Sequence, residues 1–242
     1  VSLLAVERLD VRHGPLQAVR GISLEVREGE TLALVGANGA GKTTLLRAIA
    51  GAHRPAGGRI LLEGTDVTAV PAFRRVAQGI ALVPEGRRLF PGMTVEENLL
   101  VARAHGRPGP WTVERVLETF PMLRARFRTK ASSLSGGEQQ ATAIGRALVT
   151  NPRILLLDEV SLGLAPIAVG RVYECLESLI SAGATLLLVE QDLGRALRVA
   201  RRVACMLEGR IVLEGEAASM TREQVTAAYF GLGRSAEAEA PA

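Results

Sequence analysis

Thr31-Leu32-Ala33-Leu34-Val35-Gly36-Ala37-Asn38-Gly39-Ala40-Gly41-Lys42-Thr43-Thr44-Leu45-Leu46 is the stretch that decides how this chain folds. Thr31–Val35 is a continuous apolar run, the pattern of a parallel strand buried on both faces. Lys42–Ala50 reads as a helix, stopped by Gly51. Between them, Gly36 to Thr43 matches G-x-x-x-x-G-K-[ST] at every fixed position. Glycines in such a loop let backbone N–H groups turn inward around phosphate oxygens, and the following helix adds its unpaired N-terminal N–H groups. Lys42 is placed to reach β- and γ-phosphates as a point charge. The Thr43 hydroxyl suits a magnesium ion, and Thr44 adds a donor near the α-phosphate. A glycine-rich turn with a chance lysine is the bland alternative. Lys42 is one of only two lysines in the chain, and a strand precedes the loop while a helix follows it, so phosphate binding is the better reading.

Working outward, Leu3–Val11, Ala18–Val26, Arg59–Leu62 and Gly79–Val83 read as further strands. From Glu85 to Asn151 no strand pattern is evident. Thr94-Val95-Glu96-Glu97 is a capping box opening a helix, a second helix covers Val113–Thr119, and a third begins at Ser135. This segment reads as a helical insertion in an α/β sheet. Strands return at Ile154–Leu157, Thr185–Val189, Val203–Leu207 and Ile211–Glu214. Helices are expected near Ile167–Ile180, Leu193–Val199 and Glu223–Phe230. The Ala- and Glu-rich end, from Arg234, is expected to be frayed.

Ile154-Leu155-Leu156-Leu157-Asp158-Glu159 is an apolar strand ending in two acids. Carboxylates cannot stay unpartnered inside a doubly covered strand. At its C-terminal end they reach the crevice where open α/β sheets bind ligands. Asp158 suits a magnesium shell, directly or through water. Glu159 suits a general base, or a group orienting water, for attack on a γ-phosphate. Alone, the pair would read as an acidic turn; beside a full phosphate loop, the chemical reading is stronger.

Ser135-Gly136-Gly137-Glu138 is a capping box, with Ala141, Ile144 and Leu148 marking one helix face. Two glycines in a first turn cost helix stability, which makes sense if a phosphate must approach the backbone closely. Leu134–Gln140 resembles the signature sequence of ATP-binding cassette (ABC) proteins. The order of phosphate loop, signature and acidic strand is that family's, and it spans most of the chain. The resemblance implies a P-loop NTPase core of ABC type, an α/β fold with an antiparallel β subdomain and an inserted helical subdomain at about residues 86–151. It implies one nucleotide-binding domain over residues 1–231, followed by a tail over 232–242. It also implies that two such domains pair head to tail with ATP and Mg²⁺ between them. Ser135, Gly136, Gly137 and Glu138 of one would then face the γ-phosphate held by Gly36, Ala37, Asn38, Gly39, Ala40, Gly41, Lys42, Thr43 and Thr44 of the other. Catalytic roles fall on Glu159, Lys42 and Gln191, and metal ligation on Thr43, Asp158 and Glu85.

Several positions depart from the family pattern. His13 stands where an aromatic ring stacks on adenine; it either stacks more weakly, with Arg12 beside it, or is a surface residue. Glu85 replaces a glutamine, Gln191 replaces a histidine and so donates without charge, and Val160 replaces a proline. Ser161–Ala165 resembles the loop that crosses the pair's interface. Val83–Pro91, Met93–Leu99, Ser161–Pro166 and Val189-Glu190-Gln191 are similar to the ATP-binding subunits of branched-chain amino-acid importers. That similarity implies a second ABC ATPase subunit, identical or not, integral membrane permease subunits contacted by Glu85–Pro91, and an external solute-binding protein. ATPases of urea and amide importers are closely similar, so the solute stays open, and a non-transport ABC ATPase is the weaker alternative.

Bulk properties set limits on this reading. Apolar residues make up 48% of the 242 and aromatics only 3%, so aliphatic side chains must fill the core. No apolar run approaches the roughly 18–20 residues of a membrane span. The start has no charged-then-apolar-then-small leader pattern. The expected place is the cytoplasm, on the inner face of the membrane through permease subunits. The formal net charge is +4, but the basic residues are scattered and no nucleic-acid motif is present, so a solvated surface is expected and no nucleic acid. Cys175 and Cys205 have no metal spacing and no expected disulfide.

Overall fold

The computed structural model describes residues 2–232. Ser2–His13 (β1) and Leu16–Arg27 (β2) form a long antiparallel hairpin, and Gly57–Leu62 (β4) and Thr65–Asp66 (β5) extend it into a four-stranded antiparallel sheet of order β2-β1-β4-β5. Burial alternates along β2 from Gly21, as it should where one face of a sheet is covered and the other wet.

The second sheet is built on Thr31–Val35 (β3), with Ile80–Val83 (β6), Ile154–Asp158 (β7), Thr185–Glu190 (β8), Arg202–Leu207 (β9) and Arg210–Glu216 (β10). Its order is β10-β9-β3-β8-β7-β6. The pairs β3–β8, β3–β9, β7–β8 and β6–β7 are parallel, and β10 closes one edge antiparallel. Every residue of β3, β7 and β8 is buried, which is why these segments are apolar without alternation. Their shared direction brings Val35, Asp158 and Glu190 to one edge of the sheet.

Lys42–Ile49 (α1) lies between the two sheets and joins the first core: Leu45, Leu46 and Ile49 pack with Leu4, Leu9, Leu32 and Leu187. Ala72–Gln78 (α2) is a short helix absent from the sequence reading. Its Arg75, 1% exposed, donates from Nη1 to the last carbonyls of α1, Ala48 O at 2.8 Å and Ile49 O at 2.7 Å, and from Nε and Nη2 to Val70 O and Thr68 O. A buried guanidinium is tolerated there because its donors meet the carbonyls a helix end leaves over.

Val95–Arg103 (α3), Val113–Thr119 (α4) and Gly136–Leu148 (α5) follow, with no named strand between β6 and β7 among the described residues. Pro166–Ser181 (α6) and α5 cover one face of the second sheet, in a core that includes Val116, Phe120, Ile144, Leu157 and Leu176. Leu193–Val199 (α7) and Arg222–Phe230 (α8) pack on Ala33, Val35, Val203 and Cys205. Apart from α2, β5 and three short 3-10 segments, the elements match the sequence expectations to within a few residues at each end. The expected frayed end, from Arg234, lies outside the described residues.

Candidate active site

The loop from Gly36 to Gly41 needs glycine for close approach as well as for φ. Gly36 has φ +153 and a Cβ there would meet Met206 O at 2.2 Å; Gly41 has φ +104 and a Cβ would meet Ala18 O at 2.3 Å. No other residue type fits either place. Lys42 opens α1 and is 4% exposed. Its Nζ donates to Gly36 O at 2.7 Å and Ala37 O at 3.0 Å, so the ammonium folds back over its own loop. Burial lowers its pKa, and the carboxylates of Glu159 and Asp158 work in the opposite direction.

Asp158 ends β7 facing that helix start. Thr43 Oγ1 donates to its Oδ1 at 2.9 Å, while Oδ2 is buried with no hydrogen-bond partner. Burial pushes the Asp158 carboxyl above its usual range, the Thr43 hydrogen bond opposes this, and the charges of Glu159 and Glu85 push it further up. A buried carboxylate with an orphaned oxygen beside a hydroxyl fits a hard cation with oxygen ligands. Among the described residues no group of three or more His, Cys, Asp or Glu could hold a metal by itself.

Glu159 follows directly, with φ +49, a left-handed conformation uncommon for a residue with a side chain. It is held there by the bond from its N–H to Val189 O at 3.1 Å. Its Oε1 lies 3.8 Å from Lys42 Nζ, and its Oε2 accepts from Gln191 Nε2 at 2.6 Å. A cavity of ≈480 Å³ opens over these groups, lined among others by Lys42, Thr43, Thr44, Glu85, Glu159 and Gln191. Asn38, Gly39 and Gly41 line it too, and His13 stands at its mouth, exposed, with Nε2 3.2 Å from Thr44 Oγ1 and its ring edge-on to His53 at 4.4 Å. One buried ammonium, the Glu159 carboxylate and the Thr43 hydroxyl paired with Asp158 therefore gather at one concave site, an arrangement suited to hydrolysis of a nucleoside triphosphate.

Ser135, Gly136, Gly137 and Glu138 do not line this cavity. They start α5, where Ser135 Oγ accepts from Glu138 N at 3.4 Å and Glu138 Oε2 accepts from Ser135 N at 2.8 Å. The glycines meet a packing need that sequence reasoning missed: a Cβ on Gly137 would lie 3.0 Å from Ala168 Cβ, and one on Gly136 would lie 3.1 Å from Leu164 Cδ2. Also missed was Glu190. Its signal is an acid at the end of the apolar strand β8.

Residues 19–161 match the family model described as ABC transporter. The chain is 43% identical over 232 residues, 95% of its own length and all of the relative's, to the high-affinity branched-chain amino acid transport ATP-binding protein BraG of Pseudomonas aeruginosa. It is 33% identical, over 89% of its length and 92% of the relative's, to the probable branched-chain amino acid transport ATP-binding protein LivF of Archaeoglobus fulgidus. Among solved structures, an ATP-binding cassette of an ABC transporter in its ADP conformation superposes with a TM-score of 0.82 at 27% identity, covering 95% of each chain. A dimeric post-hydrolysis cassette bound to ADP and Pi gives 0.77 at 25% identity, covering 90% of this chain and all of that one. Matched in sequence over nearly its whole length and in fold to nucleotide-bound cassettes, this chain belongs to the ABC transporter family as one of its ATP-binding, ATP-hydrolysing subunits.

Proposed function

We propose that this subunit energises an importer of branched-chain amino acids. The observation that carries its motor role is the joint placement of Lys42, Glu159 and Gln191 around the phosphate loop, with both Glu159 oxygens engaged at 3.8 and 2.6 Å. The names of the two relatives support the solute.

The steps follow from the side chains. The N–H groups of residues 36–44 and the start of α1 receive the phosphates of ATP. Lys42 Nζ leaves Gly36 O and Ala37 O for the β- and γ-phosphate oxygens. Thr43, Asp158 and Glu85 would hold Mg²⁺, which when bound neutralises charge on the phosphate oxygens. Glu159 takes a proton from the attacking water, an effect typically of 10²–10⁴-fold. Gln191 holds Glu159 in place and keeps a second amide N–H for the γ-phosphate. His13, which lines the cavity beside Thr44, is the candidate to stack on adenine.

Ser135 and the Gly137 N–H lie outside the cavity of their own chain, so a second ATPase subunit, identical or not, is needed to bring a signature helix over the γ-phosphate. Loss of that phosphate on hydrolysis removes the shared contact and the pair opens, a switch driven by differential binding. Residues 1–231 act as one nucleotide-binding domain, with a helical subdomain over about 86–151. Glu85–Pro91 contacts permease subunits, which hold the chain on the cytoplasmic side of the membrane and couple it to an external solute-binding protein. No described helix is long and apolar enough to cross a membrane itself.

The test is reconstitution. With its permeases and binding protein in proteoliposomes, leucine should stimulate ATP hydrolysis and enter the vesicles at its expense. Stimulation by urea or short-chain amides instead would move the assignment to that class of importer. Hydrolysis indifferent to any external solute would overturn it.

A further inference from the structure

Behind the proposed base lies a buried carboxylate that the mechanism above does not use. Glu190, the last residue of β8, is 2% exposed. Its Oε1 accepts from Tyr173 Oη at 2.5 Å, and its Oε2 accepts from Ser161 Oγ at 3.2 Å and from Gln191 N at 3.2 Å. Tyr173 is itself 1% exposed on α6, and burial together with the Glu190 charge holds its phenol well above the usual range, so it remains a donor. Arg195 Nη1 donates to Ser161 Oγ at 3.2 Å, which aims the serine hydroxyl at Glu190. One carboxylate thus joins three separate pieces of chain: α6, the loop after β7 that carries Glu159, and the loop after β8 that carries Gln191.

A buried charge is expensive unless it is fully hydrogen-bonded, and replacing such a group with an apolar one often costs little stability. Packing alone therefore does not call for an acid here. The acid does have a consequence two residues away. Glu190 fixes the Gln191 backbone, Gln191 Nε2 fixes Glu159 Oε2 at 2.6 Å, and Ser161 restrains the same loop from its other side. A second cavity of ≈190 Å³, lined by Glu159, Ser161, Glu190, Gln191 and Arg195, lies along this chain of contacts. Without the tie, Glu159 would have room to turn away from the phosphate cavity.

We infer that Glu190 is a positioning residue for hydrolysis, which acts through Gln191 and Ser161 to hold the Glu159 carboxylate over the phosphate site. The inference rests on the base role proposed for Glu159. It predicts a loss in turnover with little loss in nucleotide binding, because Glu190 touches neither the phosphate loop nor the cavity wall formed by Lys42 and Thr43.

The experiment is a double-mutant cycle on ATP hydrolysis with Glu190→Gln and Gln191→Ala, alongside nucleotide affinity and thermal melting. Glu190→Gln should lower kcat by about 10–100-fold, the scale of a misplaced catalytic group, with the nucleotide Kd within about twofold of wild type. In the Gln191→Ala background its further loss should be clearly smaller than in wild type, what remains passing through Ser161. Should Glu190→Gln not fold, Tyr173→Phe carries the same cycle, with a severalfold loss that likewise shrinks when the Gln191 side chain is absent. A kcat near wild type, or losses that multiply across the cycle, would overturn the tie. Glu159→Gln, assayed in parallel, separates the two readings: if it loses turnover while Glu190→Gln does not, only the tie fails; if Glu159→Gln keeps wild-type turnover, the base assignment falls and the tie with it.

Discussion

Lys42 illustrates how much of the chemistry sits in single side chains. Its ammonium is buried, engaged by two carbonyls and close to Glu159, so it is desolvated before any nucleotide arrives. Phosphate oxygens are better partners than carbonyls for a dry cation. Lys42→Ala should therefore weaken ATP binding by about 1.5–3 kcal/mol, read by titration with a fluorescent analogue; unaltered affinity would count against the cradle. Glu159→Gln should keep that affinity and lose about 10²–10⁴ in turnover. Asp158 makes a stability prediction. Its folded-state pKa lies above the 3.8 of a free aspartate, so ionising it costs the fold: the stabilising contribution of the neutral form is present below 3.8 and is lost as pH rises through the raised value. Asp158→Asn should thus gain in melting temperature over wild type as pH rises through that window, without nucleotide, while losing its magnesium dependence. A wild type whose advantage grows with pH would contradict this. The residues of the phosphate loop and the acidic pair were legible in sequence because their spacing is itself the chemistry. The partners of Gln191 and Glu190 were not, because they come from elements 17 to 32 residues apart.

Elements were legible where one physical pattern dominated. β3, β7 and β8 announced themselves as unbroken apolar runs, and α3 by its Thr94–Glu97 capping box, which the structure forms in full. α2 was illegible for the opposite reason: Ala72–Gln78 has no apolar stripe, exposes Phe73, and is anchored by the buried arginine that caps α1. Helix propensity and packing compete openly at α5. A Cβ on Gly145 would lie 2.6 Å from Val116 Cγ1 on α4, whereas on α6 nothing lies within 4 Å of one on Gly170. Alanine favours a helix over glycine by about 0.5–1 kcal/mol, while overpacking costs about 1–3 kcal/mol. Gly170→Ala should stabilise the protein by up to about 1 kcal/mol, and Gly145→Ala should destabilise it by a similar amount or more. Urea unfolding of both separates the terms; stabilisation by Gly145→Ala would mean that α4 and α5 are not packed this closely.

At the scale of the molecule, one sheet edge gathers the groups for phosphate chemistry, and the start of α5 stands apart from it. The fold class followed from the order of motifs along the chain. The separation of Ser135 from its own phosphate loop could not follow, since spacing in sequence says nothing of which copy a helix serves. That separation supports the proposed pairing, in which each chain would carry half of two sites. The most direct measurement is the crystal structure of the Glu159→Gln protein grown with MgATP. The account predicts two chains head to tail, each triphosphate lying along residues 36–44 of one and beneath Ser135 of the other. Nucleotide bound away from that loop, or bound there with no second signature helix over it, would contradict the account.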